Sequence, residues 1–231
     1  WGPYAVPAHG NEWYPRNMYL RDHETFRHHQ QSWGNQKQFG YKDFIPMFRA
    51  EKWDPEEWAD LFKRSGAKFA GPVVEHHDGF PMYDCSFTDW NAANMGPKRD
   101  VTAEQKRAFE AVGMKFVATS HRAQNARHFS FDGDFDTNDP ANKGIYWKPQ
   151  TNRDAPVDED FLVDWLGRTK EVIDTYEPDV LWFDFGWHRA EFEPYRLDLV
   201  AYYYNKAEEW GKDVVMNYKD HFLDGAGIYK I

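Results

Sequence analysis

A phrase of helix, glycine and strand recurs along this chain, and the repeat limits the fold more than any other feature. WADLFKRSGAKFAGPVVEHH (58–77) runs through a helical pattern to Gly66 and then into an apolar stretch. KRAFEAVGMKFVATSH (106–121) repeats that order with Gly113 in the same place. In both, a phenylalanine, three residues, then G-x-K-F puts glycine just past the helix, where left-handed backbone ends it. Residues 160–184 and 200–218 continue the alternation, with Glu177-Pro178 and Gly211 as stops. In the third helix Phe161, Leu162, Trp165, Leu166, Val172 and Ile173 fall at three- and four-residue spacing, the period of one buried face. Starts are marked as well. Asp54-Pro55-Glu56-Glu57 and the acids at 158–160 suit helix N-termini, and Thr102 with Gln105 reads as a capping box.

Regular alternation of this kind implies parallel strands joined by right-handed crossovers, hence an α/β fold. Strands are expected near 67–76, 113–120, 179–185, 213–218 and 227–231. Open sheets concentrate chemistry at one switch point, whereas a barrel offers every strand end. Here His76-His77, His121, Asp184 and Asn217 each close an apolar run. The expectation is therefore a partial (β/α)8, TIM-like barrel. The chain opens on Trp1 and closes on the strand-like GIYKI, so residues 1–231 read as one incomplete catalytic domain truncated at both ends. No glycine-rich phosphate loop is present, which disfavours a dinucleotide fold. The Asp-, Asn- and Gly-rich segment 122–157 reads as a long loop over the pocket.

Charge and composition narrow the partners. A net charge of −10 disfavours nucleic acid and anionic membrane. No apolar run approaches the ~18 residues needed to span a bilayer. A single cysteine, Cys85, rules out a disulfide framework and a thiolate metal cluster. Aromatics make up 18% of the chain, more than a core of this size needs; stacking on the apolar face of a sugar ring would use the excess.

The run DVLWFDFGW (179–187) carries Asp184 out of Val180, Leu181, Trp182 and Phe183, as a buried parallel strand presents a catalytic carboxylate. Such a group needs donors to stay ionised, and nearby imidazoles or amides would supply them. The alternative is a structural Asp capping the next helix. His76 and His77 would bond substrate hydroxyls, or one would be buried and satisfied while its neighbour faces solvent. His121 invites a metal reading with His77 and Asp184, although the His-x-His spacing of two ligands on one strand face is missing. Glu12-Trp13, in GNEWY, could grip a sugar by a hydroxyl and a face. Trp90, Asn91, Trp187, Asn217 and Lys219 are weaker candidates, and Tyr202–Tyr204 reads as a helix face.

Together these segments resemble the α-L-fucosidases of glycoside hydrolase family 29. WGPYAVPAHGNEWYPRNMY is similar to that family's opening "HWG-x-YSVP…EWY" run, and EHHDGF with FTDWNAANMGPKRD to its "K-HHDGF…T-x-WN…KRD" run. Glu75 stands where lysine is commoner. DVLWFDFGW is similar to "D-x-x-W-x-D-G-x-W", with Phe185 in place of glycine. The resemblance implies a barrel enzyme that removes terminal α-L-fucose from oligosaccharides or glycoconjugates with retention, without cofactor or metal. By motif match Asp184 would be the nucleophile, and Glu12, Trp13, His76 and His77 would hold the sugar. His121 stands where many members have tyrosine, and Trp187 could help wall the fucose methyl group. The family's histidine before the position of Trp1 is absent, and its acid/base glutamate would fall beyond Ile231. The family is secreted, periplasmic or lysosomal. Two other readings stay open: a metal-dependent barrel hydrolase using His77, His121 and Asp184, and a non-catalytic fucose-binding relative.

Overall fold

A computed structural model describes residues 1–149, 155–219 and 223, with 228–229 as backbone. Six strands form the sheet: β1 (Phe69–Ala70), β2 (Val73–Glu75), β3 (Lys115–Ser120), β4 (Val180–Phe183), β5 (Val215–Tyr218) and β6 (Ile228–Tyr229). Their order is β1-β3-β4-β5-β6, with β2 also pairing β3, and every strand pair is parallel. The expected α/β alternation is present. The ends of the last expected strand, at 227 and 230–231, lie outside the described residues.

Registry is pinned by one carboxylate. Asp179, just before β4, accepts from the Phe116 N–H at 2.8 Å and from Lys115 Nζ at 2.9 Å, fixing where β4 starts beside β3. From there Ser120 pairs with Phe183, and Phe183 with Tyr218. The first strand run is split at Gly71-Pro72. A Cβ on Gly71 would lie 1.6 Å from the Val117 carbonyl oxygen, so only glycine lets the backbones approach this closely.

Helix α1 (Pro55–Arg64) leads into β1, and α2 (Val101–Ala111), α3 (Glu159–Tyr176) and α4 (Glu193–Trp210) run between the later strands. The first starts as expected, with the Asp54 side chain accepting from the Glu57 N–H and Pro55 beginning the helix. It ends at Gly66, φ +90°, and α2 ends at Gly113, φ +75°. The capping box expected from Thr102 and Gln105 does not form. Asp100 caps α2 by accepting from the Ala103 N–H at 2.8 Å. Thr102 lies inside the helix, its hydroxyl turned to the Met82 carbonyl.

The helices cover one sheet face. Phe116, Ala118, Leu181, Phe183, Met216 and Tyr218 are buried there with Phe109, Trp165, Ile173, Leu199 and Tyr203. On the opposite face Val117, Thr119, Trp182 and Asn217 are only half-buried. A second core joins the N-terminal segment (Tyr14, Tyr19, Tyr41, Phe44) to Phe129, Phe135 and Tyr146. At its centre Asp136 accepts from Tyr19 and Tyr146, both at 2.7 Å. The expected loop at 122–157 is thus a chain of short helical turns packed into this core, with 150–154 outside the described residues. No helix among the described residues is long and apolar enough to cross a membrane.

Candidate active site

Five polar residues close four neighbouring strands. His76 and His77 come after β2, His121 after β3, Asp184 after β4 and Lys219 after β5. Because Ser120, Phe183 and Tyr218 are register partners, the residues after them stand side by side at one sheet end. Backbone bonds carry the ladder past the strands: His121 N–H to the Glu75 carbonyl at 2.9 Å, Asp184 N–H to Ser120 at 3.3 Å, Lys219 N–H to Phe183 at 3.4 Å.

Asp184 is 6% exposed. Its Oδ1 pairs with Lys219 Nζ at 2.5 Å and accepts from the Phe185 N–H at 2.9 Å. Its Oδ2 stands 3.4 Å from His77 Nε2 and 3.4 Å from His121 Nδ1. Burial pushes this carboxyl's pKa up. The Lys219 ammonium and the Phe185 N–H, both bonded to Oδ1, outweigh burial and hold it well below the usual carboxylate range. The carboxylate is therefore ionised at neutral pH.

The imidazoles form a triangle, with ring centroids 4.7 Å (His76–His77), 4.8 Å (His76–His121) and 4.9 Å (His77–His121) apart. His77 Nδ1 lies 2.9 Å from the His121 carbonyl oxygen. A carbonyl only accepts, so Nδ1 carries the proton and Nε2 is the atom turned to Asp184. Burial, then the neighbouring rings, lowers His76 to about 2 and His121 to about 3, so both are neutral. Beneath them Asp78 accepts from the Tyr41 hydroxyl at 2.5 Å, and burial raises its carboxyl to about 6.

Of the residues expected from sequence, His76, His77, His121 and Asp184 converge. Trp13 joins them, 5.2 Å from the His77 ring and stacked over Phe185 at 6.1 Å and 13°. Glu12 is exposed at the margin, its charge felt at Tyr4. Trp187 does not line the site. It is fully buried behind β4 against Phe183 at 4.3 Å, with Trp165 and Tyr218 around it.

Several neighbours went unread in the sequence or carried little weight. Tyr4 lies 4.8 Å from the His76 ring, and Trp182 lies 5.5 Å from His121. Lys219 Nζ sits between the Trp182 and Phe185 rings, 5.6 Å from each. Period-two alternation could have found Trp182, because Leu181 and Phe183 take the core side and leave it the other.

Behind the histidines lies an ion cluster whose Glu75, Arg122 and Arg168 are buried and whose Asp164 is partly so. Glu75 Oε1 is 3.2 Å from Arg122 Nη1 and 3.3 Å from Arg168 Nη1. Asp164 Oδ2 closes the set at 2.7 Å from Arg122 Nη2 and 3.0 Å from Arg168 Nε. Glu75 precedes His76 and Arg122 follows His121, so the cluster ties both strand ends to α3.

The profile of the family described as Alpha-L-fucosidase matches residues 1–227. The tissue α-L-fucosidase of Rattus norvegicus is 25% identical over 223 residues, which cover 92% of this chain and 44% of that protein. The plasma α-L-fucosidase of Homo sapiens is 29% identical over 190 residues, covering 80% and 36%. Among solved structures, Thermotoga maritima α-fucosidase in complex with fucose superposes with a TM-score of 0.73 at 29% identity, covering 97% of this chain and 53% of that one. The chain spans about half the length of the curated relatives it matches.

Proposed function

Since the chain belongs to the α-L-fucosidase family, we propose that the protein hydrolyses terminal α-L-fucosyl linkages of glycans or glycoconjugates, with Asp184 as the nucleophile of a retaining mechanism. The observation that carries this reading is the carboxylate itself, ionised, nearly enclosed, and set among imidazoles at the strand ends. Among the described residues it is the one carboxylate within ion-pairing distance of these histidines.

Oδ1 is engaged by Lys219 and the Phe185 N–H, which leaves Oδ2 to attack. As the Oδ2 bond to the anomeric carbon forms, the bond to the leaving oxygen breaks. That oxygen takes a proton from a general acid, for which we look outside the described residues. Water, deprotonated by the same group, then displaces the carboxylate and regenerates the configuration; the two carboxyl groups of such a pair stand about 5–5.5 Å apart. His76, His77 and His121 supply hydrogen bonds to sugar hydroxyls, and Trp13 with Phe185 forms the apolar wall that a deoxy sugar's methyl group needs.

The sheet fits an arc of a (β/α)8 barrel. Helices cover one face, and the half-buried residues Val117, Thr119, Trp182 and Asn217 mark the face a barrel encloses. Barrel enzymes place their chemistry at the C-terminal strand ends, where these groups sit.

The test is release of a chromophore from an aryl α-L-fucoside. Asp184→Gly should reduce turnover on the order of 10⁴-fold or more, the scale seen when a nucleophile is removed. Azide should restore part of it by occupying the vacated space. Undiminished turnover would remove Asp184 from the mechanism.

A further inference from the structure

The same pocket holds an arrangement that hydroxyl binding alone does not require. Both imidazole nitrogens facing Asp184 stand 3.4 Å from Oδ2. A direct N–H···O bond would close to ~2.7–3.2 Å. A tetrahedral zinc with N and O ligands at ~2.0–2.1 Å holds those ligands roughly 3.3–3.4 Å apart. The separations thus match two edges of a metal tetrahedron, and the donors are of the right kind.

We propose that His77 Nε2, His121 Nδ1 and Asp184 Oδ2, with His76 as the fourth donor, form a site for a divalent transition metal of the zinc class, and that metal and sugar exclude one another there. Ligand nitrogens of the three histidines all lie within 4.8 Å of one another, so modest side-chain rotation closes the set. The tautomer is already fixed. His77 Nδ1–H is spent on the His121 carbonyl at 2.9 Å, which in the neutral ring turns a bare Nε2 lone pair into the cluster. That is the outer hydrogen bond by which metal-binding histidines are usually oriented. Among the described residues, His76 Nδ1 and His121 Nδ1 are shielded from solvent and make no hydrogen bond. His76 as a whole is 7% exposed. Lys219 engages only Oδ1, leaving Oδ2 open to the imidazoles.

Lys219 also explains why sugar and metal compete rather than cooperate. Its ammonium opposes a dication beside Asp184, so the pocket takes a metal against a fixed positive charge, and a metal on Oδ2 removes the atom that would attack.

Chelator-stripped protein titrated with Co²⁺, followed by visible absorption, and with Zn²⁺, followed by calorimetry, reads the site without any activity. One ion per chain with a four-coordinate Co²⁺ spectrum is expected. His121→Phe and Asp184→Asn should each weaken binding by at least ~100-fold, beyond the ~10–100-fold typical of losing an outer-shell partner. Lys219→Met should tighten it. L-fucose at ten times its own dissociation constant should weaken apparent zinc affinity about tenfold. Absence of binding, or binding unchanged in His121→Phe, would overturn the site. L-fucose that binds the metal-free protein yet leaves zinc affinity unchanged, or fucoside turnover that rises with zinc, would overturn the exclusion. A protein that takes zinc but no L-fucose would uphold the metal site and count against the glycosidase reading instead.

Discussion

Glu75 is a buried carboxylate that shares two buried guanidiniums, Arg122 and Arg168, with Asp164. Burial raises its pKa while Arg168 and Arg122 pull it down, and each of the three side chains is at most 3% exposed. Removing one partner of such a set leaves charge stranded away from water, which costs more than the intact pair contributes. Glu75→Gln should therefore lower unfolding free energy by about 3 kcal/mol in urea denaturation, the lower end of the ~3–5 kcal/mol for a broken buried pair. The double variant Glu75→Gln with Arg168→Met should recover part of that loss, because it removes stranded charge along with its partner. A mild effect of Glu75→Gln alone would mean that water reaches the cluster. At this scale the sequence was informative about chemistry and silent about pairing. His76, His77, His121 and Asp184 were readable because each ends an apolar run. Glu75 was visible only as a departure from the lysine of the resembled motif; Arg168 lies 93 residues away, and proximity on that scale comes from topology.

Helix boundaries show how far local rules reach. Asp54-Pro55 behaves as its sequence suggests, since its cap uses only backbone within its own turn. The start of α2 was misread two residues late, because Thr102 with Gln105 and Asp100 alone both satisfy a capping pattern. Tertiary context favours Asp100, whose carboxylate also accepts from the Tyr176 hydroxyl of α3 at 2.6 Å. The two caps should therefore differ in cost. Asp54→Ala should lose about 1 kcal/mol, the usual value for a cap. Asp100→Ala should lose roughly 2–3 kcal/mol, since it also leaves the buried Tyr176 hydroxyl without its acceptor. Equal losses in thermal or urea unfolding would show that the Tyr176 bond contributes nothing. Trp187 was misplaced for a related reason. Its aromatic ring and its position after Asp184 suggested a pocket wall, but Gly186, at φ +111°, turns the chain and sends the indole behind the strand.

Two apolar cores hold the molecule together, and Cys85 lies in the one beneath the sheet. It is 3% exposed, and burial pushes its thiol up to about 12. At pH 8 that leaves roughly one thiolate in 10⁴. An aromatic disulfide reagent should therefore find essentially no thiol in the native protein at pH 8 and one equivalent after denaturation. Reaction in step with unfolding measured by fluorescence is expected; rapid native-state labelling would mean that this core opens locally. The layering was legible from the helix-glycine-strand repeat, because periodicity encodes which faces are buried. The second core was not, since Tyr19, Asp136 and Tyr146 meet from segments with no shared period.

Lys219, Asp184, His121 and the His76-His77 pair occupy adjoining rungs of one backbone ladder. Their spacing is thus dictated by peptide hydrogen bonding, which is indifferent to the identity of the side chain. A family built this way can exchange a reactive group at one rung while its neighbours keep their positions, so new specificities are reachable by single replacements that leave the scaffold untouched.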